Sequence, residues 1–483
     1  MTAETAALSN QRHLITEGEL IDSGTKSTII VGAGIAGLVS AINLKEAEPD
    51  HAVVIVDKPY QQSNSRIAGQ RYRHGISGQR IDNPEELLHL LASRNEGIAT
   101  PEMIQFAQRA DQELGYWASQ PNFIENHDSK SWFGPQWGAT NAKGGGRGAS
   151  VLAWFTQKAL DAGVIFLEAN VANLRVVGGA VAGIDCADRS STFAMRADNY
   201  VVANGNAGGY LFHSTNVNIE NSGSQLLFKA GIPLVDTTIH MLHPFARTNA
   251  EGDALTGCYE TDTLDKASVY LDGLSRTPVL DKATTDLLRK HEAHYHFPEI
   301  AEKFIAYGGV VKLVFPDNSE RLARVSHHYS HMGVETSDGI SVSGMENLFV
   351  AGDASGTGYW NNHTERFPGF ALVKTLVEGR LIAEALPERD DSGACGGIFV
   401  YDKKDADLTV GTGAKNKRAV ESCIRSLNTT HLLAWSSCDD AGKDAVAEQW
   451  VDDLRSSGYD GDQVELSLDI AQSHVLKRRS NEE

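Results

Sequence analysis

Cysteine is scarce in this chain of 483 residues: there are five, Cys186, Cys258, Cys395, Cys423 and Cys438, with no CxxC or CxxCH among them. That argues against a disulfide framework, a zinc ribbon and an attached haem, and it fits a reducing cytoplasm. Long apolar runs are missing too. Nothing approaches the ~18 consecutive apolar residues of a membrane helix, so no membrane span is expected. Basic residues are outnumbered 43 to 63, for a net charge of −20. Such a field repels phosphate backbones and anionic lipid, so no nucleic-acid partner is expected. A local basic pocket for an anionic small molecule is still allowed. Residues 1–25 carry no apolar stretch of the secretory type and read as a mobile arm.

What is present is ordinary globular composition, 41% hydrophobic and 22% charged. The length suggests about three folding units. Thr28–Val31 is a β-branched run ending in a glycine turn. A helix over Ile35–Lys45 and a buried strand over Val53–Val56, closed by Asp57, complete a βαβ unit, which implies a parallel sheet. Helices are predicted over Asn83–Arg94, Pro101–Ala118, Ser150–Ala162, Phe370–Leu386 and Ala445–Arg455. Short strands are predicted at Val164–Leu167, Val171–Val177, Ala180–Asp185, Tyr200–Ala203 and Asn347–Ala351. The stretch from Pro233 to Val325 mixes short elements with many charges and reads as a lid, whereas 389–416, rich in Gly, Asp and Lys, reads as a linker.

The most informative motif is G-x-G-x-x-G at Gly32, Gly34 and Gly37. It follows a predicted strand, opens a predicted helix, and has Asp57 twenty positions after its last glycine. This is the context of a dinucleotide turn. Gly32 allows the tight turn, Gly34 lets backbone approach a pyrophosphate, and Gly37 lets the helix pack on the strand. The helix start at Ile35 and Ala36 supplies N–H groups and partial positive charge, and Asp57 accepts from the adenosine ribose. The turn alone leaves FAD and NAD both open.

Four further segments resemble the flavoprotein family of fumarate reductase, succinate dehydrogenase, L-aspartate oxidase and 3-ketosteroid dehydrogenase, the soluble fumarate reductases most of all. Asn64, Ser65, Ala68 and Gly69 fall as in the family's N-[ST]-x-x-A-x-G flavin loop. Gly144–Gly148, the helix Ser150–Ala162 and then Gly163–Leu167 are similar to its glycine loop and following αβ unit, and Val171 beyond them is expected at the cofactor. Ala203, Asn204 and Gly205 resemble its ATGG turn, and the run from Asn347 through Gly352 and Asp353 to Gly356 resembles its LYAAGE segment. Together these span about residues 27–388, three quarters of the chain. The resemblance implies an α/β fold: a Rossmann-like FAD-binding domain (26–235 and 326–388) with an inserted α+β capping domain (236–325), then a C-terminal extension (389–483). It also implies FAD, held partly by Asp353 and by the helix start at Gly369, Phe370, Ala371 and Leu372, whose positive end suits the flavin N1/O2 locus. The flavin loop has Asn64 and Ser65 where membrane-bound members carry a histidine, so non-covalent FAD is expected.

On the substrate side, His243 lies in a segment similar to the family's Q-x-H-P-T, His328 in one similar to H-[YT]-T-M-G-G, Arg366 in one similar to N-R-L-G-G, and Thr256 fits its T-E pair. The resemblance implies a clamp on a substrate carboxylate. The proton relay departs from the family. Leu280 stands where R-D-K-A-[ST] has arginine (a second match has Leu264), and Gly257 and Glu260 replace a glutamate and an arginine. Arg276 is the nearest stand-in. Leucine cannot hold or pass a proton, so the expected direction is oxidative: hydride from a small carboxylate- or carbonyl-bearing substrate to flavin N5, giving C=C or C=N. Reduction of an activated alkene and a non-catalytic flavin-binding role are the alternatives. The electron acceptor would be oxygen or a separate carrier. His291, His294, His327, His328 and His331 form no set with metal-ligand spacing, so no metal is expected.

Overall fold

The computed structural model describes residues 26–58, 63–67, 81–93, 95–121, 123–126, 136–139, 147–188, 191–205, 222–237, 240–249, 254–258, 266–271, 310–356, 358–361, 370–386, 397–402, 428, 431, 440–457 and 467–472. Its first sheet is built from runs that are apolar on both faces. β1 (Ser27–Val31) and β2 (Ala52–Asp57) are buried along almost their whole length. Such runs suit a parallel sheet covered on both sides. With β3 (Ile165–Glu168), β4 (Asn199–Val202) and Leu348–Val350 they form a five-stranded sheet ordered Leu348–Val350, β4, β1, β2, β3. Every pairing in it is parallel.

The period of two sends alternate residues to different layers. Ile30, Val53, Ile55, Val201 and Phe349 face a helical layer made by α1 (Ile35–Ala47), α2 (Pro101–Ala118), α3 (Arg147–Asp161) and α4 (Phe370–Ala385). Ile29, Val31, Val54, Val56 and Val202 face Leu174, Ile184 and Met195 of a four-stranded antiparallel sheet. Each such side chain contributes roughly 1.5–3 kcal/mol on burial.

That smaller sheet corrects one expectation. Phe399–Asp402, inside the stretch read as a linker, is its edge strand, paired with Thr192–Arg196. The C-terminal extension also carries α5 (Asp440–Ser456), whose Trp450, Val451 and Leu454 share a core with Met332, Ile470 and Ala471.

A second five-stranded sheet is antiparallel throughout. It comprises β5 (His240–Thr248), β6 (Ala254–Cys258), β7 (Ser268–Leu271), β8 (Val310–Val314) and β9 (Glu320–Ser330), in the order β6, β5, β9, β8, β7. β9 runs unbroken through 325/326, the position expected to separate cap from FAD domain.

Candidate functional site

The carboxyl ends of β1, β4, β2 and Leu348–Val350 lie along one edge of the parallel sheet, and each opens into a motif singled out from sequence. The chain leaves β1 toward β2 on one side, while β4 lies on the other. The crevice between β1 and β4 is therefore the switch point where such folds bind ligands. Gly32 turns there with φ +108, and a Cβ on it would stand 2.7 Å from the Asn204 Cα. Only glycine fits both demands. A Cβ on Gly37 would stand 2.0 Å from the Gly32 carbonyl, so the start of α1 packs directly on the turn.

The side chains around α1's N-terminus suit a phosphate. Gly34 leaves room beside Ser65, whose Oγ lies 3.3 Å from where a Cβ would be. The Ser65 hydroxyl accepts the Ile35 N–H at 3.1 Å. Ala36 is buried against Gly352, whose Cβ would meet it at 2.8 Å. Asp57 does more than was expected of it. Its Oδ2 accepts the Ala33 N–H at 2.9 Å and its Oδ1 the Lys58 N–H at 2.8 Å, bracing the glycine turn. Each oxygen retains a lone pair for a ribose hydroxyl. Burial pushes the Asp57 carboxyl above its ordinary range, and the two amides oppose that shift.

The other motifs converge on the same edge. Gly148 presses on the Ser65–Arg66 backbone, a Cβ there standing 2.3 Å from the Arg66 carbonyl. Val171 lies half-buried on the core beneath β2, and Ala203, Asn204 and Gly205 follow β4. Gly352 and Asp353 begin a short 3-10 turn, Gly352–Ser355. Phe370 opens α4 as expected, but its ring is fully buried against Phe106, 5.0 Å between centroids. It can offer a ligand only its backbone; Ala371 and Leu372 behind it are half-buried. Asn64 begins the short helix Asn64–Ile67. Ala68, Gly69, Gly369, Arg366 and Arg276 lie outside the described residues, as do Leu280, Leu264 and Glu260.

The substrate-side residues fall at register breaks of the antiparallel sheet. Met241 pairs Tyr329 and Leu242 pairs His327, so His328 is the extra residue of a β-bulge. His243 pairs Ser326, and the next pair is Ala246 with Arg324, so β5 carries one extra residue over Pro244 and Phe245. Proline has no N–H to lose at such a slip. Thr256 lies in a third irregularity, between the pairs Thr248–Ala254 and Ala246–Cys258. Bulges re-aim side chains and concentrate beside active sites. The fold brings His243 and His328 within about two positions along β5 and places Thr256 farther along it.

Sequence reasoning missed a buried charge pair under the Gly352 turn. Lys374 and Glu378 are both 0% exposed and form an ion pair at 3.2 Å. The available signal was a Lys and a Glu four apart in a helix whose first half is otherwise mostly apolar. Trp360 is 1% exposed and donates from Nε1 to Glu378 Oε1 at 3.1 Å. Among the described residues no cluster of His, Cys, Asp or Glu has the makings of a metal site. No described helix is long and apolar enough to cross a membrane.

The model of the FAD dependent oxidoreductase family matches residues 27–360. The chain belongs to the FAD-dependent oxidoreductase family. Among relatives, the fumarate reductase flavoprotein subunit of Serratia sp. (strain ATCC 39006) is 23% identical over 443 residues, covering 78% of this chain and 71% of its own. The structure of quinol-fumarate reductase with menaquinol molecules superposes with a TM-score of 0.64 at 17% identity, over 93% of this chain and 90% of that one. That of 3-ketosteroid delta1-dehydrogenase from Sterolibacterium denitrificans gives 0.51 at 12% identity, over 75% and 99%. The FAD of this oxidoreductase family suits the glycine turn at Gly32 and Gly34, two residues without side chains beside the N-terminus of α1.

Proposed function

We propose that this family member oxidises a small carboxylate- or carbonyl-bearing molecule, forming a C=C or C=N bond. The observation that carries the reading is a pattern of retention and loss. His243, Thr256, His328 and Arg366 are kept, whereas the relay positions read Leu280, Gly257 and Glu260. FAD, when bound, supplies a two-electron acceptor at its N5 position. Arg366 holds the substrate carboxylate through two parallel hydrogen bonds, and His243 and Thr256 add single ones. His328 takes the proton that leaves the neighbouring carbon, or the nitrogen where a C=N bond forms. The bulge at His328 supports this role, because a residue outside the ladder can be aimed independently of its strand.

The antiparallel sheet of β5 to β9 serves as the cap. FAD sits non-covalently, since Asn64 and Ser65 offer no imidazole to link it. Oxygen or a separate carrier removes the electrons, in a cytoplasmic setting that suits five unpatterned cysteines. A second reading, reduction of an activated alkene with Arg276 as proton donor, is favoured by the Serratia relative being a fumarate reductase flavoprotein subunit.

The test is the flavin absorbance band near ~450 nm, followed anaerobically against a panel of dicarboxylates, amino acids and ketones. Bleaching by one compound is the expected result. Turnover of fumarate with reduced dye at the rate of ordinary fumarate reductases would sink the oxidative reading. Loss of alkene reduction in Arg276→Ala, with FAD retained, would establish the second.

A further inference from the structure

Gly352 is gripped at both of its backbone polar groups by side chains of α4. Its N–H donates to Glu378 Oε2 at 2.7 Å, and its carbonyl accepts from Lys374 Nζ. The Ser355 hydroxyl joins the same cluster, accepting from Lys374 and donating to Glu378 Oε1 at 2.7 Å. Trp360 Nε1 supplies a further donor to that oxygen. Neither charge reaches water. Gly352 itself has φ +71, and a Cβ there would strike Ala36 of the phosphate helix. So the turn that begins with Gly352 and Asp353 is fixed from below by α4 and from the side by α1.

A buried ion pair adds little to stability over apolar residues of the same volume. What this pair adds is position and field. Its two ions hold the N–H and the carbonyl of Gly352, which belong to successive peptide groups, an arrangement no pair of apolar side chains reproduces. In a low-dielectric interior a lone charge acts over a long range, whereas a neutral pair does not.

We propose that Lys374 and Glu378 are positioning residues that hold the Gly352–Asp353 turn in the shape FAD requires and, as a neutral pair, keep an unbalanced charge away from the flavin. The inference rests on the reading that this turn holds FAD. It concerns residues that the motif comparison does not reach, one turn and two turns into α4.

The experiment uses the full chain as Lys374→Gln, Glu378→Gln, the double variant and Asp353→Asn. FAD affinity is measured by titrating FAD into cofactor-stripped protein, and the flavin midpoint potential by equilibration with reference dyes. Each single variant is expected to weaken FAD binding at least tenfold. Reduced flavin carries negative charge, so Glu378→Gln, which leaves a bare cation, raises the potential. Lys374→Gln, which leaves a bare anion, lowers it. The double variant returns toward the parent. A merely structural role would move both single variants the same way, and that result, or affinities within twofold of the parent, overturns the proposal. If Lys374→Gln does not fold, the isosteric Glu378→Gln decides alone: a raised potential supports the inference and an unchanged one overturns it. Asp353→Asn separates the two levels. Weakened binding there with unaltered Lys374 and Glu378 variants defeats only this inference. Unaltered binding there defeats the reading of the turn, and the inference with it.

Discussion

Gly333 and Gly356 meet backbone to backbone: a Cβ on Gly333 would stand 2.0 Å from the Gly356 amide nitrogen. The segment after β9 is thereby pressed onto the end of the Gly352–Ser355 turn, so the strand carrying His328 and the turn assigned to FAD are joined by a contact with no room for a side chain. Gly333→Ala must displace one of them. Overpacking of this kind costs roughly 1–3 kcal/mol. The expected outcome is a lower urea midpoint together with weaker FAD binding. Gly115, inside α2, has nothing within 4 Å of its would-be Cβ, so Gly115→Ala should stabilise by about 0.5–1 kcal/mol. Equal effects from the two substitutions would contradict this packing.

Stability should fall in mild acid through His51. This buried side chain bonds Glu48 Oε2 through Nδ1 and Thr28 Oγ1 through Nε2, each at 2.9 Å. A carboxylate only accepts, so Nδ1 carries the proton and Nε2 receives the Thr28 hydroxyl. Burial lowers the His51 pKa from 6.5, more than Glu48 raises it. The unfolded chain therefore binds the proton first as pH drops, and unfolding becomes easier below about 6.5. Urea midpoints between pH 7.5 and 5.5 should decline less steeply in His51→Gln than in the parent. Parallel slopes would remove His51 from the acid response.

The parallel sheet was legible because β1 and β2 are unbroken apolar runs around glycines that have one use. The helix starts at Ile35, Pro101 and Phe370 were legible for similar local reasons. Features that depend on a distant partner were not. Phe399–Asp402 reads as part of a polar stretch until Thr192–Arg196 pairs with it. The bulge at His328 exists only in relation to Met241 and Leu242, so no spacing within its own strand announces it. Lys374 and Glu378 were passed over for another reason: charges four apart on a helix are normally a solvated pair, and only the covering by the Gly352 turn makes them otherwise. Phe370 is expected at the cofactor through the helix start, and the burial of its ring in the core is set by Phe106, which no local motif announces.

The C-terminal extension should prove integral to the fold. Trp450 is fully buried and donates to Asn428 Oδ1 at 3.1 Å, while Asn428 Nδ2 donates to Ser467 Oγ at 2.9 Å. The same cluster holds Met332, next to Gly333. Trp450→Ala should cost roughly 3–5 kcal/mol, and Trp450→Phe, which loses mainly the hydrogen bond, about 1 kcal/mol. Denaturant unfolding of the full chain checks both. A Trp450→Ala variant as stable as the parent would detach α5 from this core.

Ser65 should matter twice, and the two effects can be separated. Its hydroxyl oxygen accepts the Ile35 N–H, which has no partner within its own helix at that first position. Ser65→Ala removes that acceptor and should lower the stability of cofactor-free protein by roughly 0.5–2 kcal/mol, the usual cost of a lost N-terminal cap. The second effect is on the cofactor. A hydrogen bond to a charged phosphate oxygen is worth about 1.5–3 kcal/mol, so FAD affinity should drop by at least about tenfold beyond what the stability loss explains. Ser65→Thr keeps both functions and should recover both measurements. If Ser65→Ala destabilised the stripped protein yet bound FAD as tightly as the parent, the hydroxyl would serve the helix alone. The phosphate would then have to be held by the backbone between Gly32 and Gly37 without it.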